Sequence, residues 1–353
     1  MQTLQVNLKN KDYPVYIKRG IIKELGKSLR RLSSAKRVAI ITDKNLSRIY
    51  GAQVLNVLNS AGFETDVIAI EPGEKSKTLA TLADVFEGLV KSRITRRDII
   101  IALGGGVVGD LGGFAASSFL RGMPYVQVPT SLIAQVDSSI GGKVAVDLPQ
   151  GKNLVGSFYH PEAVFIDPDF LDTLDAREFS NGMAEVIKYG CIKDRQLFEE
   201  LTGFDKNELL NNIETIIFKC LSIKKKFVEE DETDQGARMM LNFGHTLGHA
   251  IEKYYHYAKY SHGEAVAVGM YRVTKNSEDM GLTEPGTSQR LKEVLSKYGL
   301  PYEMPAGNAA EIVEVIAMDK KNKGDSIDIV LLNSIGDGFI KNINKDEIPR
   351  FFL

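Results

Sequence analysis

From Arg37 to Asp43 the chain is apolar between two charged ends, the pattern of a short strand buried on both faces of a parallel sheet. A helical pattern follows to about Ser60, and residues 65–70 read as a second strand. Within 78–91, Leu79, Leu82, Val85, Phe86 and Leu89 recur at the spacing of one helix face. Residues 99–103 form an unbroken apolar strand that runs into Gly104, Gly105 and Gly106. Residues 124–128 give one more strand, and residues 1–6 alternate as a strand would. Strand and helix patterns taken in this order predict a parallel sheet with helices on both sides.

Beyond Pro168 the period changes. Helical patterns cover 176–191, 206–230, 237–257, 263–279, 287–297 and 309–319. Only 326–332 and 336–340 look extended, and they suggest a late hairpin. These patterns divide the chain into an α/β half, 1–172, and a mainly α-helical half, 173–353. Two domains also suit the length, because single cores stop growing at roughly 250–300 residues. No internal repeat is visible.

Composition changes this picture little. With 43% hydrophobic residues, 25% charged residues and a net charge of −2, the chain reads as an ordinary soluble globular protein. It lacks the basic stretch of a nucleic-acid binder. The densest basic run, Lys224-Lys225-Lys226, is soon followed by Glu229, Glu230, Asp231 and Glu232, as on the wet face of a helix. Cys191 and Cys220 lie in helical segments without a CxxC pattern and read as buried thiols of a reducing compartment. No apolar run approaches the ~18–20 residues of a membrane span. With no signal-like start either, the expected location is the cytoplasm, with no membrane partner.

Candidate chemistry concentrates in a few places. Four of the five histidines, His245, His249, His256 and His262, fall within eighteen residues. His245 and His249 are four apart, on one face of a helix, and His262 lies far enough on for a second helix to fold back beside them. Convergent imidazoles suit a transition metal such as zinc. Gly104, Gly106 and Gly109 satisfy GxGxxG between a strand and a helix, where backbone N–H groups can meet a pyrophosphate. Asp43 could accept from ribose hydroxyls or simply cap the next helix. Residues 72–77 read as a turn that matters only if it closes on a ligand. Residues 130–153 read as a polar loop, mobile or ligand-directed. Glu185 and Lys188 form either a surface ion pair or a buried one in need of a partner. Arg238, Asn242 and His249 are predicted to share one helix face, as a polar surface or as a carboxylate and phosphate grip.

Taken together, GGGVVGD (104–110), PTSLIAQVDSSIGGK (129–143), GKNLVG (151–156), MAEVIK (183–188), LNFGHTLGHA (241–250) and SHGEAV (261–266) resemble the 3-dehydroquinate synthase family, in order and over almost the whole chain. The resemblance implies a Rossmann-like N-terminal NAD domain, a helical C-terminal metal domain and a homodimer. It implies that Glu185, His245 and His262 bind zinc, or cobalt in its place, and that His249 faces substrate. NAD would contact Asp43, Asn45, Glu74, Lys77, Gly105, Gly106, Val107, Asp110, Thr130, Ser131, Lys152 and Asn181, with Phe170 and Thr173 nearby. Substrate would meet Arg121 from across the dimer, Lys143, Asn153, Lys224, Arg238, Asn242 and Lys320. Lys188, Asp234, His249 and Asp137 would be the catalytic group.

The implied substrate is a phosphorylated sugar acid, 3-deoxy-D-arabino-heptulosonate 7-phosphate. The implied reaction combines NAD-mediated transient oxidation, phosphate elimination, re-reduction and intramolecular aldol closure to 3-dehydroquinate. Two positions depart from the family pattern. Asp234 stands where a catalytic Glu is common, one methylene shorter, and Ser131 replaces a common Thr while keeping the hydroxyl. A related sugar phosphate cyclase and a metal-dependent polyol dehydrogenase are the alternatives.

Overall fold

The computed structural model describes residues 1–234, 236–305, 308–317 and 325–353. The chain divides into two compact units, Met1–Leu174 and Asp175–Leu353. The first is built on β1 (Gln2–Val6), β2 (Tyr13–Ile17), β3 (Arg37–Asp43), β4 (Glu64–Ile70), β5 (Ile99–Gly104), β6 (Tyr125–Pro129), β7 (Lys143–Leu148), β8 (Gly151–Phe158) and β9 (Ala163–Ile166). Its helices are α1 (Leu25–Leu32), α2 (Lys44–Ser60), α3 (Leu79–Lys91) and α4 (Gly106–Ser118).

Seven of these strands form one sheet in the order β1-β2-β9-β6-β5-β3-β4, parallel throughout except for the β1–β2 pair. The buried central strands read as continuous apolar runs because both faces are covered. Val38 and Ile40 of β3 pack with Leu25, Leu29, Val54 and Leu58 of α1 and α2. Ala39 and Ile41, one residue out of phase, pack with Leu82, Val85 and Leu89 of α3 and with Val108 and Leu111 of α4. From β3 the chain moves outward to β4, then returns to place β5 on the other side of β3. That reversal is a topological switch point, and ligands of open α/β sheets bind outside the carboxyl ends of the strands there.

Residues 130–153 are more ordered than a loop. Ala134–Ser138 make a single π turn, and β7 pairs with β8 as an antiparallel hairpin. Buried Leu132, Ala134, Val136, Ile140, Val144 and Val146 supply the anchoring that the surrounding glycines and polar residues conceal in the sequence.

The second unit contains α5 (Ala176–Ile192), α6 (Arg195–Gly203), α7 (Lys206–Asn211), α8 (Ile213–Glu230), α9 (His245–Tyr254), α10 (His262–Asp279), α11 (Thr287–Lys297), α12 (Ala309–Ala317) and α13 (Ile348–Phe352). A two-stranded hairpin, β10 (Ser326–Ser334) with β11 (Asp337–Asn344), completes it. The pattern over 206–230 proves to be two helices, α7 ending where the Asn212 side chain bonds the Glu208 carbonyl.

The pattern over 237–257 breaks more consequentially. Ala237–Asn242 are a 3₁₀ segment, Gly244 is left-handed at φ 78°, and α9 starts only at His245. Arg238, Asn242 and His249 therefore do not share one helix face. Glycine is required at 244 on two counts: its positive φ, and the Val266 carbonyl of α10, which would lie 2.7 Å from an added Cβ. No helix among the described residues is long and apolar enough to cross a membrane.

Candidate functional site

Three elements of the helical unit deliver side chains to one point. Glu185 comes from the middle of α5, His245 opens α9 and His262 opens α10. One donor atom from each lies within 4.8 Å of the others. The Nε2 atoms of His245 and His262 are each 3.4 Å from Glu185 Oε1. Tetrahedral zinc with bonds of about 2.0–2.1 Å holds neighbouring donors roughly 3.4 Å apart, so the donor set and its spacing fit a divalent ion. Glu185 and Lys188 resolve as a buried pair, Glu185 Oε2 against the Lys188 ammonium, with side chains 1% and 2% exposed.

Each imidazole has a second partner. His245 Nδ1 is 3.0 Å from the Phe243 carbonyl, and His262 Nδ1 is 3.2 Å from Glu252 Oε2. Burial pushes the His245 imidazole down to about 3, despite the nearby Glu185 charge, so it stands neutral and able to donate its lone pair. Burial also works against a charge on His262, but the hydrogen bonds and charges of Glu185 and Glu252 outweigh it and raise the ring to about 10. A metal ion there would take the place of a proton.

His249 is exposed on α9, its ring centroid 5.4 Å from that of His245 and 6.1 Å from that of His262. It forms a second possible donor group with Glu252 and His262. His256 joins neither group among the described residues. Lys224 on α8 and Arg238 are buried at 5% and 3% exposure, and Arg238 Nη1 donates to the Glu232 carbonyl at 3.0 Å. Asn242 is exposed at the end of the 3₁₀ segment, and Asp234 has a left-handed backbone at φ 61°. Lys320 lies outside the described residues. Asn181, expected near NAD, belongs to this helical unit, where its Oδ1 accepts from the Gly263 N–H at 2.5 Å.

In the α/β unit many of the expected nucleotide residues lie at or just beyond the carboxyl ends of β3, β4, β5 and β6. Asp43 ends β3 and caps α2, accepting from the Asn45 and Leu46 amides. Gly105 is the N-cap of α4, which has no side-chain cap, and Gly106 and Val107 begin that helix. Thr130 N–H bonds the Gly104 carbonyl, and the Ser131 hydroxyl lies against Gly105. Lys77, buried in the turn after β4, reaches Asp110 Oδ2 at 2.6 Å and Asn153 Oδ1 at 2.5 Å. Burial disfavours its charge, but Asp110 and Glu74 outweigh burial and hold the ammonium above its ordinary value. Lys152 pairs with Glu74 at 3.4 Å.

Asp137 is half-buried in the π turn, while Lys143 and Arg121 are exposed, Arg121 with φ 68°. The Phe170 ring belongs to the core, edge-on to Tyr50 at 4.7 Å, so its side chain is not available to a ligand. Thr173 bonds the Tyr50 hydroxyl.

Family models described as 3-dehydroquinate synthase N-terminal and C-terminal match residues 67–181 and 182–322. The 3-dehydroquinate synthase of Clostridium kluyveri is 55% identical over 354 aligned positions, 100% of this chain and 99% of that protein. The chain belongs to the 3-dehydroquinate synthase family. The fold likeness extends to solved structures of other sugar phosphate cyclases. The 2-epi-5-epi-valiolone synthase of Streptomyces hygroscopicus, with NAD+ and Zn2+ bound, is 28% identical at TM-score 0.88, covering 97% of this chain and 96% of that one. A 2-deoxy-scyllo-inosose synthase complexed with carbaglucose-6-phosphate, NAD+ and Co2+ is 26% identical at TM-score 0.87, covering 100% of both chains.

Among the described residues, Glu252 lies against His262 at this cluster and is absent from the residues singled out in the sequence. Its signal was present: Glu252 stands seven residues after His245, on the face that carries both histidines of α9.

Proposed function

We propose that the protein is a 3-dehydroquinate synthase, converting 3-deoxy-D-arabino-heptulosonate 7-phosphate to 3-dehydroquinate and phosphate, with NAD unchanged at the end of each turnover. The carrying observation is the Glu185–His245–His262 cluster, with both histidine Nε2 atoms 3.4 Å from Glu185 Oε1, in a chain whose full-length relatives bear that enzyme's name. When bound, NAD supplies a reversible hydride acceptor, and zinc or cobalt a Lewis acid that acidifies a hydroxyl and polarises the carbonyl formed from it.

The chain's own residues have separable tasks in this reading. Glu185, His245 and His262 hold the ion, with the Lys188 ammonium paired against the Glu185 carboxylate. Lys188 and Asp137 orient the substrate's C4 and C5 hydroxyls. Arg238 and Lys224, a buried guanidinium and a buried ammonium of the helical unit, supply the charge for the C1 carboxylate. By family resemblance Lys143, Asn242, His249 and Lys320 are assigned to the phosphate, together with Arg121 of the partner subunit in a homodimer, and Asn153 to the substrate. Such donors count most as charge grows on the departing group. That group can itself take the proton from the neighbouring carbon, so the reaction needs no strong dedicated base at Asp234, one methylene shorter than the common Glu.

In the α/β unit, the uncapped first turn of α4 receives the NAD pyrophosphate at Gly105, Gly106 and Val107. Asp43 and Asn45 serve the ribose, and Glu74, Lys77, Asp110, Thr130, Ser131 and Lys152 line the remainder, with Phe170 and Thr173 at its border; Asn181 is assigned to NAD by family resemblance alone. Because phosphate leaves by elimination, the enzyme is a carbon–oxygen lyase of the shikimate route to aromatic amino acids. Its two buried free thiols suit the cytoplasm.

A phosphate-release assay on the zinc-loaded protein tests the reading. Phosphate is expected only when NAD is present, with no net accumulation of NADH. Steady NADH production without phosphate would instead mark a polyol dehydrogenase. Turnover of a carboxylate-free hexose phosphate in place of the sugar acid would mark another cyclase.

A further inference from the structure

The three residues around the metal position are not equally constrained. The side chain of Glu185 is 1% exposed and that of His245 12%, whereas His262 is 29% exposed. Packing therefore restrains the His262 ring least. His245 is aimed by a backbone group, the Phe243 carbonyl at 3.0 Å from Nδ1. His262 has a side chain in that role: Glu252 Oε2 lies 3.2 Å from its Nδ1, while its Nε2 faces Glu185 Oε1 at 3.4 Å. A hydrogen bond at one ring nitrogen fixes the proton there and leaves the lone pair on the other. Glu252 is only 3% exposed, and a carboxylate so buried is costly unless hydrogen-bonded. Its place on α9, one turn beyond His249, brings it against the first residue of α10.

Resting on the metal centre proposed above, we infer that Glu252 is the positioning residue of His262, selecting the tautomer and the ring orientation that aim Nε2 at the ion. Glu252 touches neither ion nor substrate in this arrangement. Its carboxylate also strengthens His262 as a donor, which a neutral carbonyl does less well.

Zinc affinity, measured by competition with a chromogenic chelator on the full-length protein, tests this without reference to turnover. Loss of an outer partner weakens metal binding by about 10–100-fold. Glu252→Gln, which keeps size but loses charge, is expected near the tenfold end, and Glu252→Ala near the hundredfold end. The cobalt-loaded Glu252→Ala protein should show a weakened, displaced d–d band, a change that a purely structural role would not produce. Either variant, folded and binding zinc within twofold of the parent, overturns the proposal; if Glu252→Ala does not fold, Glu252→Gln decides. A parent that binds two ions, one of them lost on substitution, overturns it as well, making Glu252 a ligand with His249 and His262. A parent that takes up no zinc overturns the centre itself, and this role with it.

Discussion

His245→Ala is expected to purify without bound zinc and to release phosphate on the order of 1000-fold more slowly than the parent. A Lewis-acidic ion contributes several kcal/mol of transition-state stabilisation, and about 4 kcal/mol corresponds to three orders of magnitude in rate. His245 is the informative ligand to remove. Taking away Glu185 would strand the buried Lys188 ammonium, and the resulting folding defect would obscure the metal effect. The His245 imidazole is neutral, so alanine removes a donor without leaving a charge behind. Metal content by mass spectrometry, the rate of phosphate release and the melting temperature should be recorded together. A folded variant with one zinc per chain and parental turnover would contradict the assignment.

Gly269→Ala should be strongly damaging to the helical unit. An added Cβ would stand 2.0 Å from the Gly244 carbonyl oxygen, and neither side of that contact can give way by a rotamer change. The helices α9 and α10 would have to part. Overpacking of this kind costs about 1–3 kcal/mol, and a backbone clash belongs at the upper end. Gly244 directly precedes His245, while His262 begins the helix that carries Gly269, so the same displacement spreads the metal ligands. Urea denaturation should show the stability loss, and chelator competition a zinc affinity at least about tenfold weaker. Gly203→Ala is the control. Nothing lies within 4 Å of its added Cβ, and at the end of α6 it should change stability by less than about 1 kcal/mol. Equal effects at the two positions would contradict the close-packing argument.

The sheet could be read from the sequence wherever burial on both faces left a largely apolar run, as in β3 and β5, and in β6 despite its central Gln127. It was hidden where strands are short or interrupted: β9 has four residues, and β2 carries Pro14. The hairpin of β7 and β8 escaped notice because its polar and glycine residues resemble those of a ligand loop, and only the packing of Val144 and Val146 gives it away.

In the helical unit, periodicity identified α5, α10 and α11 but ran through Gly244 as though α9 began earlier. A single left-handed residue leaves no periodic trace, and the glycine there is explained by α10, a tertiary neighbour. The metal cluster shows the same limit. Local spacing pairs His245 with His249, whereas the observed donors join His245 to Glu185, sixty positions earlier, and to His262 on another helix. Spacing along one helix cannot report such a contact; the return of His262 could be anticipated from the chain between, but the choice of Glu185, His245 and His262 over His249 came from the ordered family motifs.

The most direct test is anomalous diffraction at the zinc absorption edge from crystals of the protein grown with zinc and NAD. The account predicts one strong peak per chain, within about 2.0–2.3 Å of a Glu185 carboxylate oxygen, His245 Nε2 and His262 Nε2. A catalytically active crystal with no peak there, or with its ion held by His249 and Glu252 instead, would contradict it.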